Sequence, residues 1–335
     1  VRHPDSKARD SAAPRSWVPR MVGGGDMQEA PVAILLSVYN GEAFLNQQLD
    51  SFVAQTHRNW TLYWRDDGSD DASRAIMLSF QAHRGLGRCI ESRECEERLG
   101  VARSFAHLLT LVPPGAMVAY ADQDDVWLPE KLDWAVTALA GHRTGPALYC
   151  ARQYLTDASL TVKGESPPFL RPPGFEAALT QNIVTGHTMM LSAAACALLV
   201  DFAPPEEVLH DWWAYLVVTA TGGVVVADGR CVSYYRQHGR NVVGANRSRL
   251  HRAFAALRRG PYQFMATFSA NVAGLMSRPA IATPKARALL VDLAHTLPRG
   301  RWARARLLRR YPGLVRQTPS ETWLFRFWFV LSDGR

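Results

Sequence analysis

Cysteine is scarce in this 335-residue chain. Its five thiols, Cys89, Cys95, Cys150, Cys196 and Cys231, are odd in number and never spaced as CxxC. That argues against a disulfide framework and a zinc site, and for reduced thiols in a cytoplasmic protein. Long apolar runs are also missing. The longest, near Thr188 to Val200 and Tyr215 to Ala227, fall short of the roughly 20 residues that a membrane span needs. Residues 1 to 30 are dominated by Arg, Ser, Pro and Gly and lack the apolar h-region of a secretory signal. They read as a disordered tail, with Met21 or Met27 as the expected start of translation. The triple glycine Gly23-Gly24-Gly25 precedes the first strand rather than following it, so a dinucleotide-binding fingerprint is not supported. Acidic residues thin out at the other end. From Arg247 onward 17 Lys+Arg face 3 Asp+Glu, a net of +14, which leaves the preceding 246 residues at −6 within an overall charge of +8.

What is present suits one large α/β domain with appendages, since 47% of the residues are apolar. The apolar run Pro31 to Val38 predicts a strand ending in Tyr39-Asn40-Gly41, and Phe44, Leu45, Leu49, Phe52 and Val53 then share one face of a predicted helix. A second strand, Trp60 to Arg65, runs into Asp66-Asp67-Gly68-Ser69-Asp70-Asp71. There Gly68 permits a tight turn, and Ser69 or Asp70 is the expected cap of a helix starting near Ala72. The pattern recurs as a strand from Arg88 to Ser92, a helix from about Val101 to Leu111, and a strand over Ala116 to Tyr120. Strands alternating with helices imply parallel βαβ units with right-handed crossovers, so the carboxyl ends of the strands share one rim.

On that rim lies Asp122-Gln123-Asp124-Asp125, followed by Val126-Trp127-Leu128-Pro129, where Pro129 is expected to open another helix. Capping that helix would take one Asp, whereas three carboxylates crowd here and repel unless a cation neutralises them. Oxygen ligands suit Mg²⁺ or Mn²⁺, which usually sits on one or two carboxylates plus substrate phosphates. With Tyr39, Asp66 and Asp67 on the same rim, the set suits a nucleoside diphosphate. Tyr39 could stack on the base, an Asp could accept from base or ribose, and the metal could bridge the phosphates.

These residues resemble the inverting glycosyltransferases of family 2, which have the GT-A fold. The matching pieces are Ser37-Val38-Tyr39-Asn40-Gly41, Asp66-Asp67-Gly68-Ser69, Gly100-Val101, Asp122-Gln123-Asp124-Asp125 with Trp127 to Leu132, Gly186-His187-Thr188-Met189-Met190, His210-Asp211-Trp212-Trp213, and Tyr235 to Gly244. Together they look most like the rhamnosyltransferase-like branch that builds bacterial surface polysaccharides, over roughly residues 31 to 245. The resemblance implies a Rossmann-like mixed sheet flanked by helices. It implies nucleobase contacts from Ser37 and Tyr39, and base or ribose contacts from Asp66 or Asp67. Asp122 and Asp124 would be the DxD pair that holds the metal on the donor diphosphate, and Asp211 the catalytic base. Arg236 and His238 fall where relatives close over the diphosphate or metal. His187 and Trp212 are expected to line the acceptor site. Where many relatives carry Asn, this chain has Arg98 and Ser104, so the donor stays open: dTDP-rhamnose, or galactose, glucose or an N-acetyl sugar on UDP.

The chemistry asks for the same groups. An acceptor hydroxyl must lose its proton while attacking the anomeric carbon, and one carboxylate within reach suffices as base. The departing diphosphate needs its developing charge neutralised. A base on one side and a metal on the other give single displacement with inversion, and no nucleophile for a retaining route is evident. Asp211 could instead only cap the helix it precedes, with His210 as a packed neighbour, and His238 could be a structural hydrogen-bonding residue. A nucleotidyltransferase making nucleotide sugars would want a Gly-rich phosphate loop after the first strand, and a degenerate sugar or nucleotide binder would have lost a key carboxylate.

Residues 246–335 read as a separate basic helical extension. Arg301 to Arg310 form a predicted basic amphipathic helix, followed by the aromatic run Trp323 to Leu331. That combination suits peripheral contact with an anionic membrane carrying a lipid-linked acceptor. A lid or dimer surface is the alternative, and nucleic-acid binding is not expected because no recognition motif accompanies the charge.

Overall fold

The computed structural model describes residues 30–93, 97–142, 144–206, 208–238 and 249–332, with 249–260 as helix backbone. The expected tail before residue 30, Cys95, the Gly239 to Gly244 segment and the boundary near residue 245 lie outside the described residues.

Four parallel strands form the first half of the sheet: β1 (Val32–Val38), β2 (Trp60–Asp66), β3 (Cys89–Glu91) and β4 (Met117–Ala121). They are joined by α1 (Leu45–Val53), α2 (Ser73–Ala82) and α3 (Val101–Thr110). β1 is almost wholly buried, as expected of a central parallel strand covered on both faces. Its side chains alternate between two cores. Val32, Ile34, Leu36 and Val38 join the one beneath α1 and α2, and Ala33 and Leu35 the one on the α3 side. The strand order β3-β2-β1-β4 reverses direction at β1, with β4 on its other side. Ligands of open α/β sheets bind at such a switch point, outside the carboxyl ends of the strands.

The second half is mixed. β5 (Val126–Trp127) leads to α4 (Lys131–Leu139) and then to β6 (Ala147–Thr156) and β7 (Val162–Glu165). After α5 (Phe175–Thr180) come β8 (Met190–Leu191), α6 (Ala193–Val200), α7 (His210–Ala220) and the long β9 (Val224–Arg236). β8 runs antiparallel between β4 and β6, β9 lies parallel to β6, and β5 is antiparallel to β9. The two longest apolar runs thus resolve into a strand and a helix each, and Ser192 marks one break by accepting from the Ala195 amide. Four helices follow: α8 (Arg249–Met276), α9 (Pro284–Thr296), α10 (Arg301–Arg310) and α11 (Pro319–Leu331). They pack into the core that holds Leu35 and Trp213, through Phe268, Leu290, Leu307, Phe325 and Phe329. The mixed sheet, the flanking helices and the helical C-terminal region are those expected. Among the described residues no helix is long and apolar enough to cross a membrane.

Two local expectations need correction. α4 begins at Lys131 rather than at Pro129. α2 has no side-chain cap at Ala72, because Ser69 donates to Asp66 while Asp71 accepts from the Ser73 amide at 2.8 Å.

Candidate active site

β1 and β4 end side by side, with Leu36 opposite Ala121 in register. Ser37 is half-buried in β1, and Tyr39 follows at the rim. Gln123 ties the two strand ends together. Its Oε1 accepts from the Tyr39 amide at 2.8 Å and its Nε2 donates to the Tyr39 carbonyl at 2.7 Å. The Arg98 guanidinium lies 3.9 Å over the Tyr39 ring, so one departure from the usual family residues sits on the expected base platform. The other, Ser104, is internal. Its hydroxyl donates to Asp67, which also accepts from Arg65 at 2.8 Å and from the amides of Leu99 and Gly100 at 2.7 and 2.8 Å. Gly100, at φ 74°, makes the bend that presents those amides. Asp67 is thus occupied by the protein itself. Among the described residues half-buried Asp66 accepts only from the amide and hydroxyl of Ser69.

The acidic turn is organised around a buried imidazole. His187 Nδ1 stands 3.0 Å from Asp125 Oδ2 and 3.4 Å from Asp122 Oδ2, and its ring stacks on Tyr235. Burial alone would lower its pKa, but the two carboxylates hold it up at about 10. Burial pushes the Asp124 carboxyl up to about 8, helped by the charges of Asp125 and Asp122. Asp124 Oδ2 faces His238 Nε2 at 2.7 Å. Lys131 lies beneath the turn with Nζ 3.0 Å from the centre of the Trp127 ring. Its pKa falls well below the usual range through burial, against the pull of Asp125 and Asp122.

Carboxylates are donors for Mg²⁺ or Mn²⁺, and a carboxyl pushed up by burial and by like charges is one that a cation would relieve. Two sets fit. Asp122, Asp125 and His187 bring one ligand atom each within 4.8 Å of one another, but the side chains of Asp125 and His187 are 0% exposed. Asp122 and Asp124 keep 39% and 17% of theirs exposed. The expected Asp122–Asp124 pair is the part of the acidic turn that solvent reaches, and His238 contacts it only through Asp124.

Asp211 sits in the first turn of α7 rather than ahead of it. Its Oδ1 accepts from the Trp212 amide at 2.6 Å and from Asn182 Nδ2 at 3.1 Å, and its Oδ2 accepts from the Gly186 amide at 3.1 Å. Burial raises its pKa against these donors and His210. His210 packs with the rings of Phe105 and Tyr120 in a three-ring cluster. A Cβ on Gly186 would come within 2.7 Å of His210 Nε2, so this position needs glycine for space. Gly186 thus holds Asp211 while its neighbour His187 pairs with Asp122 and Asp125. One dipeptide links the two acidic centres.

Three expected contacts are oriented differently. His187 is buried under the acidic turn instead of facing an acceptor. Trp212 is half-buried and donates its indole N–H to the Ala178 carbonyl at 2.8 Å. Arg236 is 1% exposed: its amide donates to Asp125, its Nε to the Asp124 carbonyl at 2.8 Å, and its other nitrogens to Ala158 and Gln47. It braces the turn from within. Sequence reasoning counted Asp125 among the crowded carboxylates without a role of its own, and missed Lys131 and Asn182 as parts of the site. The third carboxylate of the run was the available signal for Asp125, and Asn182 gave none.

Comparison with known proteins identifies the family and the fold. Residues 33–199, about half of the chain, match the profile of Glycosyl transferase family 2. Over 222 residues the chain is 25% identical to the dTDP-rhamnosyl transferase RfbG of Shigella flexneri, covering 63% of this chain and 74% of that protein. Over 113 residues it is 29% identical to the UDP-Glc:alpha-D-GlcNAc-diphosphoundecaprenol beta-1,3-glucosyltransferase WfgD of Escherichia coli, covering 34% and 42%. The chain spans only 39% and 42% of the length of the first curated relatives it matches. The fold is similar to that of S. aureus TarS 1-349 in complex with UDP, with a TM-score of 0.53 at 16% identity over 84% of this chain and 89% of that one. On its matched domain, its curled mixed sheet and its order of motifs, the chain belongs to glycosyltransferase family 2, with the GT-A fold.

Proposed function

We propose that this protein transfers a sugar from a nucleoside-diphosphate donor to a hydroxyl of a glycan or lipid-linked acceptor, with inversion, in bacterial surface polysaccharide synthesis. The observation that carries the reading is the link through Gly186 and His187 between Asp211 and the acidic turn. A base and a phosphate-binding centre on opposite sides of one sugar are what single displacement requires.

Tyr39, Ser37 and Asp66 at the ends of β1 and β2 are the base and ribose contacts. Asp122 and Asp124, with His238, would hold Mg²⁺ or Mn²⁺, which when bound neutralises the diphosphate as it leaves. Asp211 accepts the acceptor proton. Three hydrogen-bond donors orient its carboxylate, and burial makes it more basic than an exposed carboxylate. Arg236 and His187 act indirectly by fixing the turn, and Trp212 backs the acceptor side of Asp211. The names of RfbG and WfgD support a dTDP- or UDP-sugar donor, rhamnose or glucose, and in WfgD a diphosphoundecaprenol-linked acceptor. Such an acceptor would have the protein working at the inner face of the cell membrane. The catalytic unit is taken as residues 31–245, with residues 246–335 as its extension.

The test is Asp211→Asn. Nucleotide binding, read as a thermal shift with dTDP, UDP, GDP and CDP with and without Mn²⁺, should match wild type. Turnover should fall by roughly 10²–10⁴. Full turnover in the variant would remove Asp211 as the base. No shift with any nucleotide in well-folded wild type would favour a binder without transferase activity.

A further inference from the structure

The surface of α10 and α11 carries a feature that sugar transfer does not use. α11 turns Thr322, Phe325, Trp328 and Phe329 into the protein. On its opposite side Trp323, Phe327 and Leu331 recur every four residues, exposed to 66%, 45% and 50%. The Trp323 and Phe327 rings stack 5.3 Å apart and 11° from parallel, forming a flat apolar plate. α10 buries Arg304, Leu307 and Leu308. Outward it sets Trp302, 80% exposed, together with Arg306 and Arg309, and the Arg301 guanidinium lies 5.8 Å from the Trp302 ring centre. Each of these two adjoining helices thus leaves large apolar groups open to solvent, and exposed apolar groups rimmed by charge mark a surface that something covers.

Charge identifies the occupant. From 261 to 332 the chain holds eleven Lys and Arg residues and two acids, Asp292 and Glu321. Both acids are engaged internally: Asp292 with Tyr311 and Arg310, and Glu321 in the capping box with Thr318. The charged residues that α10 exposes, Arg301, Arg306, Arg309 and Arg310, are all cationic and complement an anionic partner. A second copy of the chain would set arginines against arginines, which like-charge repulsion opposes. Aromatic anchors beside arginines on a 13-residue helix, too short to span, suit the boundary between lipid headgroups and acyl chains.

We propose that α11, together with the start of α10, docks flat on an anionic lipid bilayer, with Trp323, Phe327, Leu331 and Trp302 entering the interface and Arg306 and Arg309 meeting headgroups. This names the surface behind the membrane-side acceptor reading above and rests on it for its purpose. The binding itself requires neither donor nor turnover.

The test is co-sedimentation of the full chain with vesicles of phosphatidylglycerol and phosphatidylcholine, and with phosphatidylcholine alone. Wild type should partition onto the anionic vesicles, less at high salt, and little onto the neutral ones. The triple variant Trp323→Gln, Phe327→Gln, Leu331→Gln should lose roughly tenfold or more in partitioning. The pair Arg306→Glu, Arg309→Glu should lose the anionic preference, and both variants should keep the wild-type nucleotide thermal shift. Equal sedimentation of the triple variant and wild type would overturn the assignment. So would a wild type that ignores vesicles, whether it dimerises through this face in light scattering or shifts duplex DNA instead. Any of those results leaves the transfer reading to be judged by Asp211→Asn.

Discussion

The turns after β2 and β4 are written in nearly the same letters. Asp66-Asp67-Gly68-Ser69 and Asp122-Gln123-Asp124-Asp125 each close a parallel strand on either side of β1 and each lead towards a helix. In the first, Asp67 receives four donors, including the buried guanidinium of Arg65 and two backbone amides. Its charge is answered by the protein, and it anchors the loop that carries Arg98. In the second, Asp124 faces two further carboxylates and its pKa climbs to about 8. One turn uses a carboxylate as structure, and the other gathers carboxylates about the His187 imidazole and leaves Asp124 raised by burial and by its neighbours' charges. Identical side chains acquire opposite roles from the donors around them.

The sharpest way to break this contrast is to delete one carboxylate from each turn. Asp67→Ala breaks a buried ion pair and takes the acceptor from the Leu99 and Gly100 amides, and should cost about 3–5 kcal/mol in urea unfolding. Asp124→Ala should leave the metal-free protein as stable as wild type or more so, while abolishing the Mn²⁺-dependent nucleotide shift. Equal stability losses would erase the distinction.

A smaller effect concerns pH. Asp124 has a folded value near 8 against an ordinary 3.8, so over that window the native state keeps a proton that the unfolded chain has released. Metal-free stability should therefore fall as pH rises from about 4 to about 8. His187, held at about 10 against 6.5, adds to the fall only above about pH 6.5. Thermal midpoints of Asp124→Asn should show a shallower slope below that point, and Mn²⁺ should raise the wild-type midpoint most at the alkaline end. An unchanged slope in Asp124→Asn would show that the acidic turn is not strained by its own charge.

The smallest effect is at Arg98. Its contact with Tyr39 is exposed, so Arg98→Ala should cost about 0.5–1 kcal/mol by chemical denaturation. A loss as large as that of Asp67→Ala would mean that the loop is held by Arg98 as much as by Asp67.

The parallel half was legible in the sequence because its signals are local. β1 to β4 announce themselves as apolar runs, each followed by turn residues within a few positions. The mixed half was not, because β6 and β9 pair across more than 70 residues and β8 is two residues long. The same division runs through the site. The carboxylates at strand ends could be named from spacing. That His187 points at Asp122 and Asp125, or that Arg236 turns inward to the Asp124 carbonyl, depends on contacts that no neighbouring residue encodes.

Arg236 also sets a timetable for biosynthesis. It meets Asp125 and Asp124 across 111 and 112 residues of chain, and Gln47 across 189. At translation rates of roughly 5–20 residues per second, the acidic turn leaves the ribosome roughly 5–20 s before the strand that braces it. Contacts so far apart in sequence are slow to close. Through that interval the carboxylates have water for company, and the turn reaches its final form only once β9 has been threaded between β6 and β5.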